Sequence, residues 1–352
     1  MGKLNIGIVG LNFGREIIAR ELITGPAQPY FELAAVCDLV VGKADQAAKQ
    51  YRVKAYYDID SLLTDPNIPV IGLYAGPVGR AALIRRIIRA GKDVMTAKPF
   101  ETDPDAALDV LIEARRLGMV VHLNSPSSLF TDDLQQIQDW RNEYNLGRPI
   151  ACRADTWGSY REKPDGSWYD DPDQCPVAPI FRIGIYTIND IVRFFGEPEA
   201  VQVMHSRILT ERPTPDNAQL NIRFKNGAIA SVFASLCVDD REFWKASLVM
   251  NFESGTVYRN AGPVSDGASR SDMAVVYRVG EKEKGVERVR LEGRSGEYQW
   301  EIFHRAVAGE KLEGEVTLEE IVAGLRVIRT MRRTQVSGKT EAISQRLAGE
   351  VP

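Results

Sequence analysis

The sequence predicts an α/β protein with two domains: a doubly wound parallel sheet, followed by an α+β domain with a large, mostly antiparallel open sheet. The length of 352 residues is the first observation, because single hydrophobic cores stop growing beyond about 250–300 residues. The second is a change of pattern near residue 124, where alternating strands and helices give way to successive strands. We therefore place the domains at residues 1–123 and 124–352, with the late helices free to pack back on the first domain.

Short apolar runs in the first domain are separated by segments with helical periodicity. The runs are rich in Val, Ile and Leu without polar alternation, which is expected of strands buried on both faces of a parallel sheet. Strands are predicted at residues 4–9, 32–37, 70–74, 93–96 and 119–123, with helices at residues 15–24, 43–51, 80–90 and 105–117. This alternation implies right-handed crossovers and a doubly wound sheet.

The second domain begins with a predicted helix at residues 131–144 and continues in strands of alternating polarity. These strands are predicted at residues 150–156, 200–209, 219–224, 229–236 and 246–252, and two late helices at residues 296–307 and 318–334. Asn226-Gly227 stands between two strands and is typical of a tight hairpin. Alternation with one exposed face indicates a largely antiparallel sheet. Because large apolar sheet faces are usually covered, we expect a homodimer or homotetramer.

The composition argues against several classes of function. The 44 basic and 48 acidic side chains are interspersed, so no basic surface for nucleic acid or an anionic membrane is indicated. No apolar run approaches the roughly 20 residues of a membrane span, and the N-terminus starts on a strand pattern rather than a signal peptide. The four cysteines and three histidines lack metal-ligand spacing. We therefore expect a cytoplasmic protein with reduced cysteines and without a metal, nucleic-acid or membrane partner.

The first strand ends in a glycine turn, Gly10-Leu11-Asn12-Phe13-Gly14-Arg15, and a helix follows at once. A glycine permits a tight turn, and a helix N-terminus offers N–H groups and a positive dipole end to a pyrophosphate. The turn departs from the usual G-x-G-x-x-G spacing, because Asn12 stands at the second glycine and Arg15 at the third. Asn tolerates a positive φ, so the turn remains feasible. The motif predicts a dinucleotide-binding Rossmann domain but alone leaves a purely structural turn open.

Asp38 ends the second predicted strand. A carboxylate at that place can accept hydrogen bonds from the ribose hydroxyls of adenosine and would repel a 2′-phosphate, which favours NAD over NADP. Lys43 nearby keeps NADP possible. The alternative for Asp38 is a role as the N-terminal cap of the following helix.

A lysine-proline pair ends the fourth strand, in the run Ala90-Gly91-Lys92-Asp93-Val94-Met95-Thr96-Ala97-Lys98-Pro99. Proline keeps the preceding residue out of the helical region, so the chain turns at the carboxyl edge of the sheet, where ligands bind in doubly wound folds. Without further context, Lys98 is simply a surface lysine. In this run, however, the chain resembles the glucose–fructose oxidoreductase / inositol dehydrogenase family (Gfo/Idh/MocA). Members of that family carry Ala-Gly-Lys-His-Val and then Glu-Lys-Pro here.

The resemblance continues through residues 231–235, the Glu253-Ser254-Gly255-Thr256 turn and the final helix. It implies that Lys98 contacts the substrate hydroxyl and the nicotinamide region. Ala97 replaces the family's Glu, which removes one cofactor contact, and Arg80 stands where a family His is common, where it could face cofactor or substrate. The cofactor-binding residues so implied are Gly10, Asn12, Phe13, Gly14, Asp38, Ala75, Arg80 and Lys98.

A second motif follows in Phe181-Arg182-Ile183-Gly184-Ile185-Tyr186-Thr187-Ile188-Asn189-Asp190, where the family carries Asp-x-Gly-x-His-x-x-Asp. Arg182, Tyr186 and Asn189 take the three polar positions, and in a helix they would share one face. Tyr occurs in place of His in a subgroup of the family, which implies that Tyr186 is the proton donor or acceptor. Its phenol titrates near 10, so it would need a neighbouring cation such as Lys98 or Arg182.

Arg182 is the largest departure, because a guanidinium cannot accept a proton but suits a carboxylate or phosphate. With Arg80 it hints at an acidic substrate, such as a uronate or a phosphorylated sugar. Its alternative is an ion pair with Asp190 or with an acid in residues 168–173. The segment 157–179 adds Trp157, Tyr160, Trp168 and Tyr169, whose rings could stack on a sugar or else pack under the second sheet.

We predict an NAD-dependent oxidoreductase, with NADP possible, that transfers a hydride between nicotinamide and a sugar, polyol or sugar acid. Lys98 and Tyr186 are the predicted catalytic residues, and the predicted substrate-binding residues are Arg182, Asn189, Trp157 and Trp168. Two alternatives stay open: a non-catalytic NAD(P)-binding regulator, and a lyase or glycosidase that oxidises its substrate transiently with tightly bound NAD. The Lys98–Tyr186 pair favours an enzyme, because a pure sensor has no need of it.

Overall fold

The chain forms two compact units in a computed structural model that describes residues 2–241, 244–263 and 270–344. The first unit consists of Met1–Leu129 and Tyr298–Leu318, and the second of Phe130–Glu297 and Glu319–Pro352. The predicted division falls after residue 123 and leaves the late helices free to pack back on the first domain. The long segment of the first unit runs on to Leu129, and a late segment of the chain returns to it.

Six parallel strands form the sheet of the first unit, in the order β3-β2-β1-β4-β5-β6. They are β1 (Leu4–Val9), β2 (Phe31–Cys37), β3 (Lys54–Tyr56), β4 (Val70–Leu73), β5 (Asp93–Thr96) and β6 (Val121–Leu123). The strand order reverses beside β1, which is where doubly wound sheets bind ligands at their carboxyl edge. This arrangement confirms the predicted parallel sheet; β3, of three residues, is too short to give a pattern in the sequence.

Helices connect these strands: α1 (Leu11–Ile17), α2 (Val41–Tyr51), α3 (Ile59–Leu63), α4 (Arg80–Arg89) and α5 (Pro104–Leu117). α1 begins directly after Gly10, four residues earlier than predicted, because Asn12 and Gly14 are weak helix formers that hide its start. A π-helix, Ile18–Ile23, prolongs it.

The late helix Trp300–Val307 completes the core of the first unit. Trp300 and Phe303 are fully buried, and their rings lie 5.5 and 5.6 Å from the ring of Phe31 at the start of β2. Burying two large aromatic side chains contributes several kcal/mol, on the order of 2–3 kcal/mol each. That apolar contact is the physical reason for the return of residues 298–318 to this unit.

The second unit contains a nine-stranded sheet among its described residues, in the order β14-β13-β12-β11-β7-β10-β9-β8-β15. The strands are β7 (Pro149–Trp157), β8 (Pro198–Ser206), β9 (Asn217–Phe224), β10 (Ile229–Ser235), β11 (Lys245–Phe252), β12 (Gly255–Arg259), β13 (Arg270–Val279), β14 (Glu283–Glu292) and β15 (Glu341–Ala342). Every neighbouring pair is antiparallel except β7 and β10, which confirms the mostly antiparallel sheet. Asn226-Gly227 forms the predicted hairpin between β9 and β10.

α6 (Asp132–Glu143) packs on β13 and β14, and α7 (Ile185–Phe195) packs on β7 and β10. Later in the chain follow α8 (Trp300–Val307), which belongs to the first unit, and α9 (Leu318–Ser337). A π-helix, Ile180–Gly184, leads directly into α7. Among the described residues no helix combines the length and the apolar character that a membrane crossing requires.

Candidate functional site

Gly10 forms the turn between β1 and α1 at the carboxyl end of the central strand. Its φ is +87°, and a Cβ at this position would lie 2.7 Å from the backbone nitrogen of Ala75, so only glycine fits. Asn12 and Phe13 follow in the first turn of α1, where backbone N–H groups have no acceptor within the helix. These groups lie at the carboxyl edge of the sheet and suit a pyrophosphate.

Asp38 joins the end of β2 to the start of α1. Its Oδ2 accepts from the Leu11 N–H at 2.8 Å, and its Oδ1 accepts from the Val40 N–H at 2.9 Å. Each carboxylate oxygen has a second lone pair, so these bonds leave room for a ribose hydroxyl. The alternative role of Asp38, as the N-terminal cap of α2, is met only in part. Asp38 accepts from the N–H of Val40, whereas α2 begins one residue later, at Val41.

Two cations stand beside the same turn. Lys43 Nζ donates to Asn12 Oδ1 at 2.6 Å, and Arg15 donates to the carbonyl of Lys43 at 3.1 Å. Asn12 therefore has a structural partner in addition to its predicted place in the turn. Phe13 is 43% exposed and meets the ring of Tyr74 edge-on, with centroids 5.9 Å apart.

Arg80 is buried at the start of α4 and bonds to the protein itself. Its guanidinium donates to five acceptors: the carbonyl oxygens of Ala75, Gly76, Ala97 and Pro99 and the hydroxyl of Thr96. These acceptors are Thr96, the last residue of β5, and residues of the loops after β4 and β5. Arg80 thus joins these two loops, and its predicted contact with cofactor or substrate stays a prediction.

Lys98 lies half-buried after β5, in a segment that is anchored on both sides. Its own N–H donates to Asn124 Oδ1 at 3.0 Å, and its peptide bond to Pro99 is cis. Glu101, 2% exposed, accepts from the N–H groups of Gly79 and Ala81 at the start of α4. Asn124 and Glu101 were not singled out in the sequence, although an acid next to a Lys-Pro turn is a usable signal for such an anchor.

The second unit carries the predicted catalytic motif on the π-helix and α7. Between residues 175 and 192, all of which are described, Tyr186 is the one residue that is not buried. The apolar side chains of α7 are buried, which fixes the helix, and the Tyr186 ring stays partly accessible. π-helical turns are frequent at functional sites.

Arg182, on the π-helix, pairs with a residue that the sequence did not indicate. Its two terminal nitrogens donate to the two oxygens of Glu162 at 2.5 and 2.8 Å, and its guanidinium lies 4.1 Å above the ring of Tyr169. Burial raises the pKa of Glu162, but Arg182 and then Arg212 outweigh burial and hold the pKa below its ordinary value. Arg212 also pairs with Asp165 and Asp170, so the segment is held by a network of charges.

The other predicted substrate residues lie in different surroundings. Asn189 is buried and packs against Gly324 on α9. Trp157, at the end of β7, donates from Nε1 to Asp240 at 3.0 Å. Trp168 is half-buried on a short 3-10 helix and lies 4.0 Å from the ring of Tyr169. Of the predicted site residues in the second unit, Tyr186, Trp157 and Trp168 are partly accessible, whereas Arg182 and Asn189 are buried.

Two models of one family match the chain. The model of the NAD-binding Rossmann fold of the GFO/IDH/MocA oxidoreductase family matches residues 4–125, and the model of the C-terminal domain of that family matches residues 134–258. The two matches fall in the two parts of the chain that carry the sequence motifs.

Curated relatives and solved structures agree with this match. The inositol 2-dehydrogenase/D-chiro-inositol 3-dehydrogenase of Lactiplantibacillus plantarum is 30% identical over 210 residues, 58% of this chain and 58% of that protein. The chain thus spans little more than half the length of this relative, and it spans 40% of the length of two further relatives.

Levoglucosan dehydrogenase with NADH has a TM-score of 0.74 at 15% identity, over 97% of this chain and 100% of that one. The aldose-aldose oxidoreductase from Caulobacter crescentus has a TM-score of 0.71 at 19% identity, over 97% and 99%. At these identities the two structures establish the fold.

Proposed function

Because the chain belongs to the GFO/IDH/MocA family of oxidoreductases with an NAD-binding Rossmann fold, we propose that it is an NAD-dependent dehydrogenase or reductase acting on a CH–OH carbon of a sugar or polyol. One observation carries the proposal. The glycine turn, Asp38 and Lys98 all stand at the carboxyl edge of the same parallel sheet, beside its switch point. The inositol and levoglucosan dehydrogenases among the similar proteins support this substrate class.

The residues at the sheet edge fit NAD. Gly10 allows the close turn, the first-turn N–H groups of α1 suit the pyrophosphate, and Asp38 has lone pairs left for a ribose hydroxyl. When bound, NAD supplies the hydride acceptor at nicotinamide C4. We propose NAD rather than NADP because Asp38 is acidic and Lys43 is already bonded to Asn12. Asp38→Ala should raise the KM for NAD and raise the ratio of NADP to NAD activity about tenfold or more, measured by steady-state kinetics with both cofactors.

The chain's own residues then move the proton and stabilise charge. During oxidation the Tyr186 phenolate accepts the hydroxyl proton of the substrate at Oη and becomes the phenol, and in the reverse direction the phenol donates that proton to the carbonyl oxygen. Lys98 holds the substrate oxygen and stabilises its developing negative charge. These roles are the ones that the matching motif positions have in the family. They correspond to the subgroup of the family that carries Tyr instead of His.

The pairing of Arg182 supports a neutral substrate. A guanidinium that is neutralised by Glu162 and covered by Tyr169 offers no net charge to a carboxylate or phosphate. Trp157, Trp168 and the neighbouring rings are proposed to stack on the sugar, and Asn189 supports the helix that carries Tyr186. An acidic substrate has less support than a neutral one, since both Arg80 and Arg182 donate to acceptors in the protein.

A substrate panel tests the proposal. With NAD and a panel of neutral sugars, polyols and sugar acids, the protein should form NADH, followed at 340 nm, from a neutral member. Cofactor binding without turnover of any member would favour the regulator. A bound NADH signal that appears and decays without release would favour transient oxidation in a lyase or glycosidase.

Two further properties belong to the proposal. The second sheet has a face with half-exposed Phe233, Val249 and Tyr258, which supports self-association through that face. The four cysteines are free thiols and three of them are buried, which supports a reducing compartment such as the cytoplasm.

A further inference from the structure

The ring of Tyr186 packs against a glycine that cannot be replaced without moving it. Gly296 follows β14 and has a φ of +97°. A Cβ on Gly296 would lie 2.8 Å from Cε1 and 2.9 Å from Cδ1 of Tyr186, closer than real Cβ atoms approach. Trp244 meets the same ring edge-on, with centroids 6.0 Å apart. The position of the ring is therefore set by a backbone segment without a side chain and by an indole.

Ser295, one residue earlier, fixes this segment to α7. Its hydroxyl donates to Asp190 Oδ1 at 2.5 Å, and its backbone N–H donates to Asp133 Oδ2 at 3.1 Å. Asp190 is four residues after Tyr186 on α7, so both side chains lie on the same face of the helix. Residues 295 and 296 thus contact α7 at two successive turns, at Asp190 through Ser295 and at Tyr186 through Gly296.

Arg259, at the end of β12, stabilises the two carboxylates that hold Ser295. Its guanidinium donates to Asp133 Oδ2 at 2.7 Å and to Asp190 Oδ2 at 2.9 Å. All three side chains are at most 4% exposed. Two buried carboxylates require such a cation, because unpaired charges are strongly disfavoured in the interior. The buried cluster of Asp133, Arg259 and Asp190 therefore fixes the position of Ser295.

We propose that Ser295 and Gly296 are positioning residues for the reaction: the buried cluster holds Ser295, and Ser295 holds Gly296 against the ring of Tyr186, which sets the direction of the phenol oxygen. The inference rests on the proposed role of Tyr186 in proton transfer. A misplacement of about 1 Å at a reacting group can cost up to about a hundredfold in rate. Substitutions at Ser295 or Gly296 should therefore lower kcat while leaving NAD binding intact.

Gly296→Ala and Gly293→Ala form a matched pair for the test. Both glycines have a positive φ, +97° and +88°, so alanine is strained at both. A Cβ on Gly293 would meet only Glu297 and Asp132 side-chain oxygens, at 3.5 and 3.6 Å, which is ordinary contact. In the full-length protein we expect similar melting temperatures, a kcat about tenfold or more lower for Gly296→Ala than for Gly293→Ala, and equal KM values for NAD. Crystal structures of both variants should show the Tyr186 ring displaced only in Gly296→Ala.

Variants of Ser295 provide a second test. Ser295→Ala should lower kcat, and Ser295→Thr, which keeps the hydroxyl, should restore most of it. An undisplaced Tyr186 ring in Gly296→Ala, or equal kcat values in the two glycine variants, would overturn the inference. If Tyr186→Phe is fully active, the proposed role of Tyr186 has failed; if Tyr186→Phe is inactive and the glycine variants are alike, only the positioning has failed.

Discussion

Tyr186 is the residue on whose phenol oxygen the proposed chemistry depends. Phenylalanine keeps the ring between Gly296 and Trp244 and removes only the oxygen. We expect Tyr186→Phe to lower kcat by about 10²–10⁴-fold, the range for losing a general acid or base, with unchanged NAD binding in a calorimetric titration. Tyr277→Phe is the control, because Tyr277 lies on β13 and stacks on Tyr144 at 3.7 Å. A Tyr186→Phe enzyme with full kcat would remove Tyr186 from the mechanism.

Arg80 serves the site through the backbone. Arg80→Met would leave buried carbonyl oxygens without donors, at a cost of about 1–3 kcal/mol for each group that water cannot reach. We expect the variant to lose about 2–5 kcal/mol of unfolding free energy in urea and to bind NAD more weakly. Arg85→Met is the control on the same helix, since Arg85 makes a partly exposed pair with Glu113 and should cost less than about 1 kcal/mol. Equal losses in the two variants would contradict this role of Arg80.

The sequence predicted where a residue lies in the fold better than it predicted which residue its side chain pairs with. Asp38 stands at the end of β2 as predicted, and Lys98 follows β5 as predicted, because both depend only on strand ends. Arg182 was expected to pair with Asp190 or an acid in residues 168–173. It pairs instead with Glu162, and Asp190 pairs with Arg259. Such pairs depend on how loops and strands meet in space, and no local pattern encodes that.

Among the elements, the segment that carries the aromatic rings is held in place by charge rather than by apolar packing. Glu162 bridges Arg182 on the π-helix and Arg212 in the β8–β9 connection, and Tyr169 lies against both guanidinium groups. Because the side chains of Arg182 and Arg212 are only 10% and 5% exposed, the loss of their shared carboxylate should be felt in stability and in substrate binding.

Glu162→Gln tests this element. The change leaves Arg182 without a buried counter-charge, and we expect a loss of roughly 2–4 kcal/mol in unfolding free energy and faster proteolysis within residues 157–171. The KM for the sugar should rise, while the KM for NAD should not. Glu211→Gln is the matched control, because Glu211 forms an exposed pair with Lys163 and should cost less than about 1 kcal/mol. Identical proteolysis of the two variants would argue against a charged anchor.

Most elements with a strong apolar pattern could be predicted, although β12 and β13, which carry short apolar runs, were not. The buried strands of the first sheet, the long helices and the β9–β10 hairpin all follow from the sequence. β14 was not predicted, because its ten residues carry charges on both sides and alternate only between half-buried and exposed positions. The π-helix before α7 was not predicted either, since its apolar residues equally suit an α-helix.

For the molecule as a whole, His122 makes stability depend on pH. The ring is buried on β6, with its centroid 5.2 Å from that of the tilted Phe303 ring, and burial lowers the pKa of His122 from about 6.5 to about 4. As the pH falls from 6.5 to 4, the unfolded chain binds a proton that the folded protein does not, so the folded state loses stability in this window. Glu315 Oε1 lies 3.9 Å from His122 Nε2, but this carboxylate is half-exposed and does not offset the effect of burial on the pKa of His122.

His122→Leu should remove this dependence. Between pH 7.5 and pH 4.5 the unmodified protein should lose about 2–3 kcal/mol more unfolding free energy than the variant, measured in urea at both pH values. The comparison at pH 7.5 gives the packing cost of the substitution by itself, because the imidazole is neutral there in both states. Equal losses on acidification would show that His122 is not held neutral by the fold.

The division of the chain into units was predicted only approximately. The change of pattern near residue 124 marks the end of the parallel sheet, but it cannot show that Trp300 and Phe303 pack with Phe31 in the first unit. Contacts between residues almost 270 positions apart follow from apolar burial, which a local pattern does not record. The family models match residues 4–125 and 134–258, so they do not reach Trp300 and Phe303 either.

Hydride transfer itself can be followed with deuterium. The neutral sugar or polyol most active in the panel, deuterated at its carbinol carbons, should transfer one deuterium to nicotinamide C4, detected in the released cofactor by mass spectrometry and NMR. Oxidation should also slow by a primary isotope effect under single-turnover conditions, and Tyr186→Phe and Lys98→Ala should release far less labelled cofactor. Release of no labelled cofactor from a protein that binds NAD, or equal release from the native protein and both variants, would contradict an NAD-dependent dehydrogenase that uses Tyr186 and Lys98.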